Sequence, residues 1–185
     1  MNQQIPALSS QIATRSAKCG KSVLISIDGP AGSGKTSLAA ELASKLADVQ
    51  IIHMDDLYLG WQNTLTDSLT SNLLGIAHNI QNLGIVSFAK FDWSNNSIGE
   101  VVKYQAPKFL IIEGVGSGQE VLRPFVSMSI WIEVPIDIGL ARVIERDGEI
   151  VRDHMPAFLA LQESHFRKEE TKMHAEYHLS GLGIV

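Results

Sequence analysis

The chain has 185 residues, 45% of them apolar and 19% charged, with 15 Lys+Arg against 20 Asp+Glu for a net charge of −5. That length fits one domain with a substantial core, and the ordinary usage excludes collagen, coiled coil and wholesale disorder as descriptions of the chain. The acidic balance argues against a dedicated nucleic-acid binder, which needs clustered Lys and Arg at phosphates. A single cysteine, Cys19, leaves no internal disulfide and no Cys-based zinc cluster. No apolar run reaches the roughly 18 residues of a membrane span. The opening MNQQIPALSSQIATRSAKCG lacks the continuous apolar core of a secretory signal, so a cytoplasmic location is expected.

In chain order, residues 5–18 bring Ile5, Leu8 and Ile12 to helical spacing with Gly20 as a stop, which predicts an amphipathic helix inside an N-terminal segment 1–20. Residues 22–28 (SVLISID) are a short apolar run rich in β-branched side chains and predict a buried strand. Residues 35–47 are Ala- and Leu-rich with helical periodicity, and residues 49–53 read as a second strand. A polar stretch then runs to about residue 97, with a helix expected at 67–83 and a small extra strand at 85–91. Residues 109–113 (FLIIE) and 128–134 (MSIWIEV) predict two more buried strands, 136–147 and 155–169 helices, and 176–179 a last strand. Strands alternating with helices imply βαβ units, hence an α/β fold for residues 1–185: five parallel strands with helices on both faces.

Gly29-Pro30-Ala31-Gly32-Ser33-Gly34-Lys35-Thr36 fits G-x-x-x-x-G-K-[ST] between a predicted strand and a predicted helix, the context a phosphate-binding P-loop requires. Glycines let the backbone curl so that N–H groups converge on phosphate oxygens, and the following helix adds its positive end. Gly29, Ala31, Gly32, Ser33, Gly34, Lys35, Thr36 and the adjoining Ser37 are therefore candidate nucleotide-binding residues, with Lys35 reaching the β/γ-phosphates and Thr36 offering its hydroxyl to Mg²⁺. Neither the N-K-x-D guanine motif of switch GTPases nor an LSGGQ-like signature occurs.

Asp55 and Asp56 follow the second predicted strand, on the rim where open α/β sheets bind ligands. Adjacent acids there suit a metal or an acceptor hydroxyl, which makes Asp55 the candidate base and a metal contact. Glu113 ends FLIIE at the position of a Walker-B acid, with permissive glycines at 114, 116 and 118 behind it. Arg142 and Arg146 share one helix face, and with Arg152 they outline a short lid at 142–155 that closes cations over transferring phosphates. Residues 54–107, expected to form the acceptor side, contain no arginine; Lys90 and Lys103 against Asp55, Asp56, Asp67, Asp92 and Glu100 give 2 − 5 = −3. A phosphate monoester acceptor calls for Arg forks, so an uncharged polyhydroxyl or an amine is expected, with Tyr58, Trp61, Phe91 and Trp93 available to stack on a ring. His174 and His178 have no carboxylate cluster of metal spacing beside them.

With these residues in place, the chain resembles the uridine kinase/phosphoribulokinase-like group of P-loop kinases over residues 23–180. IDGPAGSGKT is similar to the group's phosphate loop, MDDLY to its Q-D-S-F-Y, FLIIEG to its strand followed by E-G, IGLARVIERD to its R-R-I-x-R-D lid helix, and ETKMHAEYHLSG to its closing segment. AKFDWS resembles the group's Y-D-F-x-x-H-S-R, although Asn95, Asn96 and Ser97 stand near where H-S-R would follow. The resemblance implies a P-loop three-layer sandwich, ATP and Mg²⁺ as cofactors, and phosphoryl transfer to a hydroxyl of a nucleoside-like or sugar-like acceptor. It implies Asp55 as base, with Lys35 and Arg146 neutralising the transferring group, and Arg142 on the nucleotide. It assigns Asp56, Tyr58, Asp92 and Trp93 to the acceptor, and Thr36, Glu113 and Asp55 to the metal. The expected partners are ATP and a small molecule, without nucleic acid or membrane, and homo-oligomerisation stays open. Two alternatives are a cytidylate-like nucleoside-monophosphate kinase and a non-catalytic ATP-binding or regulatory ATPase module, for which Asp55-Asp56 would have no use.

Overall fold

The computed structural model describes residues 4–183, so the first three residues of the N-terminal segment 1–20 lie outside the described residues. In chain order the elements are α1 (Gln4–Ala13), β1 (Val23–Asp28), α2 (Lys35–Ala43), β2 (Val49–His53), α3 (Asp67–Leu83), β3 (Ile85–Asp92), β4 (Ser97–Gln105), β5 (Phe109–Glu113), β6 (Val126–Glu133), α4 (Ile136–Asp147), α5 (Met155–Glu169), α6 (Thr171–His174) and β7 (Tyr177–Ser180). Five strands form one parallel sheet in the order β2-β5-β1-β6-β7, which puts the strand before the phosphate loop at its centre.

The two-residue period of the strands divides the core into two layers. Val23, Ile25 and Ile27 of β1 point with Phe109 and Ile111 of β5 toward Leu38, Ala39 and Leu42 of α2 and Ile5, Leu8 and Ile12 of α1. Leu24 of β1 points the other way with Leu110 and Ile112, into Leu69, Leu73, Ile76 and Ile80 of α3. The same alternation aims the last residue of each strand. Glu113 continues the Ile111 side and meets α2, whereas Asp28 continues the Leu24 side and meets the loop after β5. All three strands β1, β2 and β5 end at one rim, where ligands bind in open α/β sheets.

Three expectations differ from what is observed. α1 stops at Ala13 rather than at residue 18, because the next five residues, TRSAK, offer no large apolar side chain to bury, and Arg15 instead bonds Glu176. α2 stops at Ala43 rather than 47: Ser44 Oγ bonds Glu41 O, and the chain reverses through Asp48 at φ 55°. The extra strand at 85–91 is half of a separate antiparallel hairpin, β3–β4. β4 was not visible as a strand because its residues are mostly exposed, and a bulge opposite Lys90 breaks the alternation. Among the described residues no helix is long and apolar enough to cross a membrane.

The loop between β1 and α2 is packed backbone to backbone against α4. Gly32 sits at φ 72°, and a Cβ there would fall 2.1 Å from Gly139 O; a Cβ on Gly139 would fall 2.4 Å from Ala31 O. Replacing a helical Gly by Ala ordinarily gains about 1 kcal/mol, but overpacking against backbone costs about 1–3 kcal/mol. The clash wins here because a carbonyl of a constrained loop cannot move aside as a side chain can. Gly139→Ala is expected to lower stability by about 1–2 kcal/mol, read from urea midpoints at unchanged m; a gain of stability would show that α4 does not hold the loop.

Candidate active site

Lys35 opens α2, yet its side chain folds back under the loop. Its Nζ donates to Gly29 O at 2.8 Å, to Pro30 O at 2.7 Å and to Ser33 Oγ at 3.4 Å. Burial pulls this ammonium below its ordinary range, against the charges of Asp28, Glu113 and Asp55. Thr36 Oγ1 donates to Glu113 Oε1 at 3.0 Å, and His53 Nδ1 lies 2.6 Å from the same oxygen. The hydrogen bond to Glu113 raises the His53 pKa. Register explains the pair, since β2 and β5 place His53 and Glu113 side by side.

Asp28 was not singled out from sequence, and neither was Gln162. The Asp28 carboxylate accepts Gly29 N–H at 2.7 Å and Gly116 N–H at 3.1 Å on Oδ1, and Gly118 N–H at 2.8 Å on Oδ2. It thereby ties the start of the phosphate loop to the glycine loop after β5. Gln162 of α5 accepts the Ala31 N–H at 2.8 Å. An acid closing an apolar strand is the local signal that could have flagged Asp28; its donors lie too far along the chain to be read.

A cavity of about 960 Å³ opens over the rim, lined at one end by residues 31–37 with Arg142 and Arg146, and at the other by Tyr58, Trp61, Thr64, Trp93, Met155 and Phe158. Asp55 and Glu113 line it too, and Asp55 joins the two groups: the Lys35 and Arg146 charges act on it from the phosphate-loop side, and its carbonyl accepts Trp93 from the aromatic side. Asp55 is open to the cavity yet surrounded by protein, and that surrounding together with the Glu113 charge raises its carboxyl pKa, with Lys35 and Arg146 opposing. Arg146 is held in a fork on Asp147, Nε–Oδ1 2.7 Å and Nη2–Oδ2 2.6 Å. Arg142 Nη1 donates to Gly32 O at 3.2 Å and to Gly181 O at 2.9 Å, so it braces the loop as well as lining the cavity. Arg152 pairs with Glu149 on the surface, outside the cavity lining.

The acids of the acceptor segment separate. Asp56 pairs with Lys90 at 3.1 Å and does not line the cavity. Asp92 also lies outside the lining: it caps the hairpin turn, accepting Ser94 N–H at 2.9 Å and the Asn95 side chain at 2.7 Å, and these bonds lower its pKa. Each of these two carboxylates thus has its own local partner, and neither is brought to the cavity lining. Tyr58 and Trp93 do line the cavity, with Tyr58 O–H donating to Val115 O at 2.7 Å and Trp93 Nε1–H to Asp55 O at 2.8 Å. Phe91 is buried behind Trp93, 5.1 Å between ring centres. Thr36, Glu113 and Asp55 offer hard oxygen donors on one side of the cavity. Such a set suits Mg²⁺, which takes only one or two protein ligands and completes its shell with phosphates and water. Among the described residues no group of three or more His, Cys, Asp or Glu could hold a metal by itself.

Burial pushes the Asp28 carboxyl from 3.8 up to about 6 despite its three N–H donors. Between those two values the folded state binds more protons than the unfolded one, so the stability Asp28 contributes falls as pH rises from about 4 to about 6. The stability advantage of wild type over Asp28→Asn should therefore shrink across that window, by an amount on the order of 2–3 kcal/mol. Chemical denaturation at a series of pH values measures it, and an advantage that grows with pH would contradict the assignment.

No family model matches the chain, and no curated protein matches it. Solved structures do. A possible uridine kinase from Bacillus stearothermophilus superposes with a TM-score of 0.68 at 20% identity, covering 95% of this chain and 96% of that one. A protein assigned as a fructose transport system kinase from Silicibacter sp. TM1040 superposes with a TM-score of 0.55 at 19% identity, covering 78% of this chain and 82% of that one. At such identities the likeness establishes the fold, and the fold of this chain is that of the uridine kinase/phosphoribulokinase-like P-loop kinases.

Proposed function

We propose that the protein is an ATP- and Mg²⁺-dependent kinase that transfers the γ-phosphoryl group to a hydroxyl of a small acceptor of nucleoside or sugar size. In this reading residues 1–185 act as one domain, 54–107 form the acceptor side, 142–155 the lid, and the reaction runs in the cytoplasm. The observation that carries it is one cavity with the phosphate loop at one end, aromatic walls at the other and Asp55 joining them. A nucleotide-binding module without chemistry has no need of a carboxylate at that junction.

The residues divide the work as follows. Backbone N–H groups of residues 29–34 and the start of α2 receive the phosphates. Lys35 exchanges the Gly29 and Pro30 carbonyls for phosphate oxygens, which deliver more negative charge to a partly desolvated ammonium. Thr36 and Glu113 would hold Mg²⁺, which supplies neutralisation of the β- and γ-phosphate charge. Asp55, with its raised pKa, takes the acceptor's hydroxyl proton, a transfer favoured by a base closer to neutrality. Arg146 leaves Asp147 to meet the charge that develops on the transferring group.

The charge of the acceptor side supports an acceptor without a phosphate. Of its two cations, Lys90 is paired with Asp56 and Lys103 is exposed on β4, away from the cavity. At an effective dielectric near 20 a carboxylate ~4 Å from a phosphate opposes it by roughly 4 kcal/mol before screening. Nucleosides and neutral alcohols should accordingly be turned over in preference to their monophosphates in paired assays of ADP release; turnover of a monophosphate but not of its dephosphorylated form would restore the monophosphate-kinase alternative.

Asp55→Asn should lower kcat about 100-fold or more while the KM for ATP stays within about 3-fold, because the proton is transferred only in the transition state. Asp56→Asn should change both by less than about 5-fold. Equal losses in kcat and ATP affinity for Asp55→Asn would move that residue to the metal, and wild-type turnover would remove it from the chemistry.

A further inference from the structure

The acceptor half of the cavity has an unusual hydrogen-bonding inventory. Tyr58 donates its O–H to Val115 O at 2.7 Å, and Trp93 its one side-chain N–H to Asp55 O at 2.8 Å. Val115, Met155 and Phe158 bring no polar side-chain atoms to this wall beyond a thioether. Trp61 stands among rings: His154 is stacked on it at 4.8 Å and 5°, while Trp93 and Phe158 meet it edge to face at 5.4 and 6.1 Å. No Asn, Gln or Lys lines this half, and both arginines of the cavity stand on α4 beside the phosphate loop. His154, stacked on Trp61, is exposed and keeps its ring nitrogens at the rim of this half. Among the described residues one buried side-chain polar atom of this lining remains without a partner. Thr64 is 1% exposed, lines the cavity, and its Oγ1 has no hydrogen bond.

A buried hydroxyl without a partner is costly in a folded protein, so Thr64 Oγ1 marks a place where a ligand atom completes the site. A sugar or a ribose brings several hydroxyls; beyond Asp55, Thr64 and the rim imidazole of His154 this half offers them no side-chain donor or acceptor that is not already engaged, and each further hydroxyl desolvated without a partner would weaken binding by about 10- to 100-fold. A flat ring instead gains from the offset and edge-on contacts these aromatic walls offer. We propose that the acceptor is a hydroxyalkyl heteroaromatic: a flat ring seated against Trp61, Trp93 and Phe158, with one ring heteroatom accepting the Thr64 hydroxyl and its single alcohol at Asp55. The inference rests on the phosphotransfer reading above. The alcohol oxygen attacks the γ-phosphorus, the bond from that phosphorus to the β–γ bridging oxygen breaks, and ADP leaves. The alcohol proton passes to Asp55, giving a phosphate monoester, ADP and one proton.

The test compares a hydroxymethylpyridine, benzyl alcohol, uridine and glucose as acceptors with ATP–Mg²⁺, following the new phosphate ester by ³¹P NMR, with ATP–Mg²⁺ binding measured separately by calorimetry. The hydroxymethylpyridine should exceed uridine and glucose in kcat/KM by about 10-fold or more, and benzyl alcohol, isosteric but without the heteroatom, by about 10-fold. Thr64→Val should bring the pyridine-to-benzyl ratio close to one, and Thr64→Ser should keep it. Preferential phosphorylation of uridine or glucose overturns the inference and leaves the kinase reading standing. ATP–Mg²⁺ binding with no ring alcohol phosphorylated, or a ratio unmoved by Thr64→Val, likewise overturns the inference alone. Absence of ATP–Mg²⁺ binding overturns both.

Discussion

A carboxylate buried at the end of a central strand must find donors close by, and Asp28 finds three of them, all backbone N–H groups of glycines. That requirement fixes the relation between the two loops that make the site. Gly29 begins the phosphate loop, and Gly116 and Gly118 belong to the loop after β5. Ser117 reinforces the connection by donating to Ile27 O at 2.9 Å. Val115 of the same loop accepts the Tyr58 phenol, so the aromatic wall of the cavity is referenced to the same carboxylate. The place where phosphates would sit and the place where an acceptor would sit are thus set relative to each other by buried side chains bonded to backbone rather than by mobile surface groups, which is the geometry phosphoryl transfer needs.

The charges of the cavity are arranged around one ammonium. Asp28, Glu113 and Asp55 all favour charged Lys35, while burial and Arg146 oppose it. Two carbonyls hold Lys35 in place, and they are weaker partners than a phosphate oxygen. Arg146 rests on Asp147, a partner next to it in sequence and easily left. Each cation therefore has a local partner that a nucleotide can outbid. The acids are more firmly committed: Glu113 is bound by Thr36 and His53 from one side, and Asp28 by three amides. Asp55 is the exception, a carboxylate facing the cavity with no hydrogen-bonded cation, and this freedom is what suits it to receive a proton.

What could be read from residues alone was what is local in the chain. The P-loop pattern lies within eight residues, and strand, loop and helix follow each other directly, so its position and that of Asp55 on the rim were legible. The predicted strands 22–28 and 109–113 also ended on Asp28 and Glu113, as β1 and β5 do. The partners were not legible, because they come from far along the chain: Gly118 for Asp28, Gln162 for Ala31, Gly139 for the loop carbonyl of Ala31. The local partners of Asp92 and Asp56 were not legible either. Their types and positions suited an acceptor, but a turn and a neighbouring lysine on the hairpin captured them. Thr64 carries no sequence signal at all; its meaning comes from burial without a partner.

If the loop between β1 and α2 is a preformed phosphate cradle with Lys35 held beneath it, a nucleotide should dock there without displacing the loop from Asp28. Titrating ¹⁵N-labelled protein with ATP–Mg²⁺ and following backbone amides tests it most directly. The account predicts saturable shifts concentrated in Gly32, Ser33, Gly34, Lys35 and Thr36, a change at the Lys35 ammonium as it leaves the Gly29 and Pro30 carbonyls, and little change at Gly118, whose N–H stays on Asp28. Shifts centred elsewhere, or none at millimolar nucleotide, would contradict it.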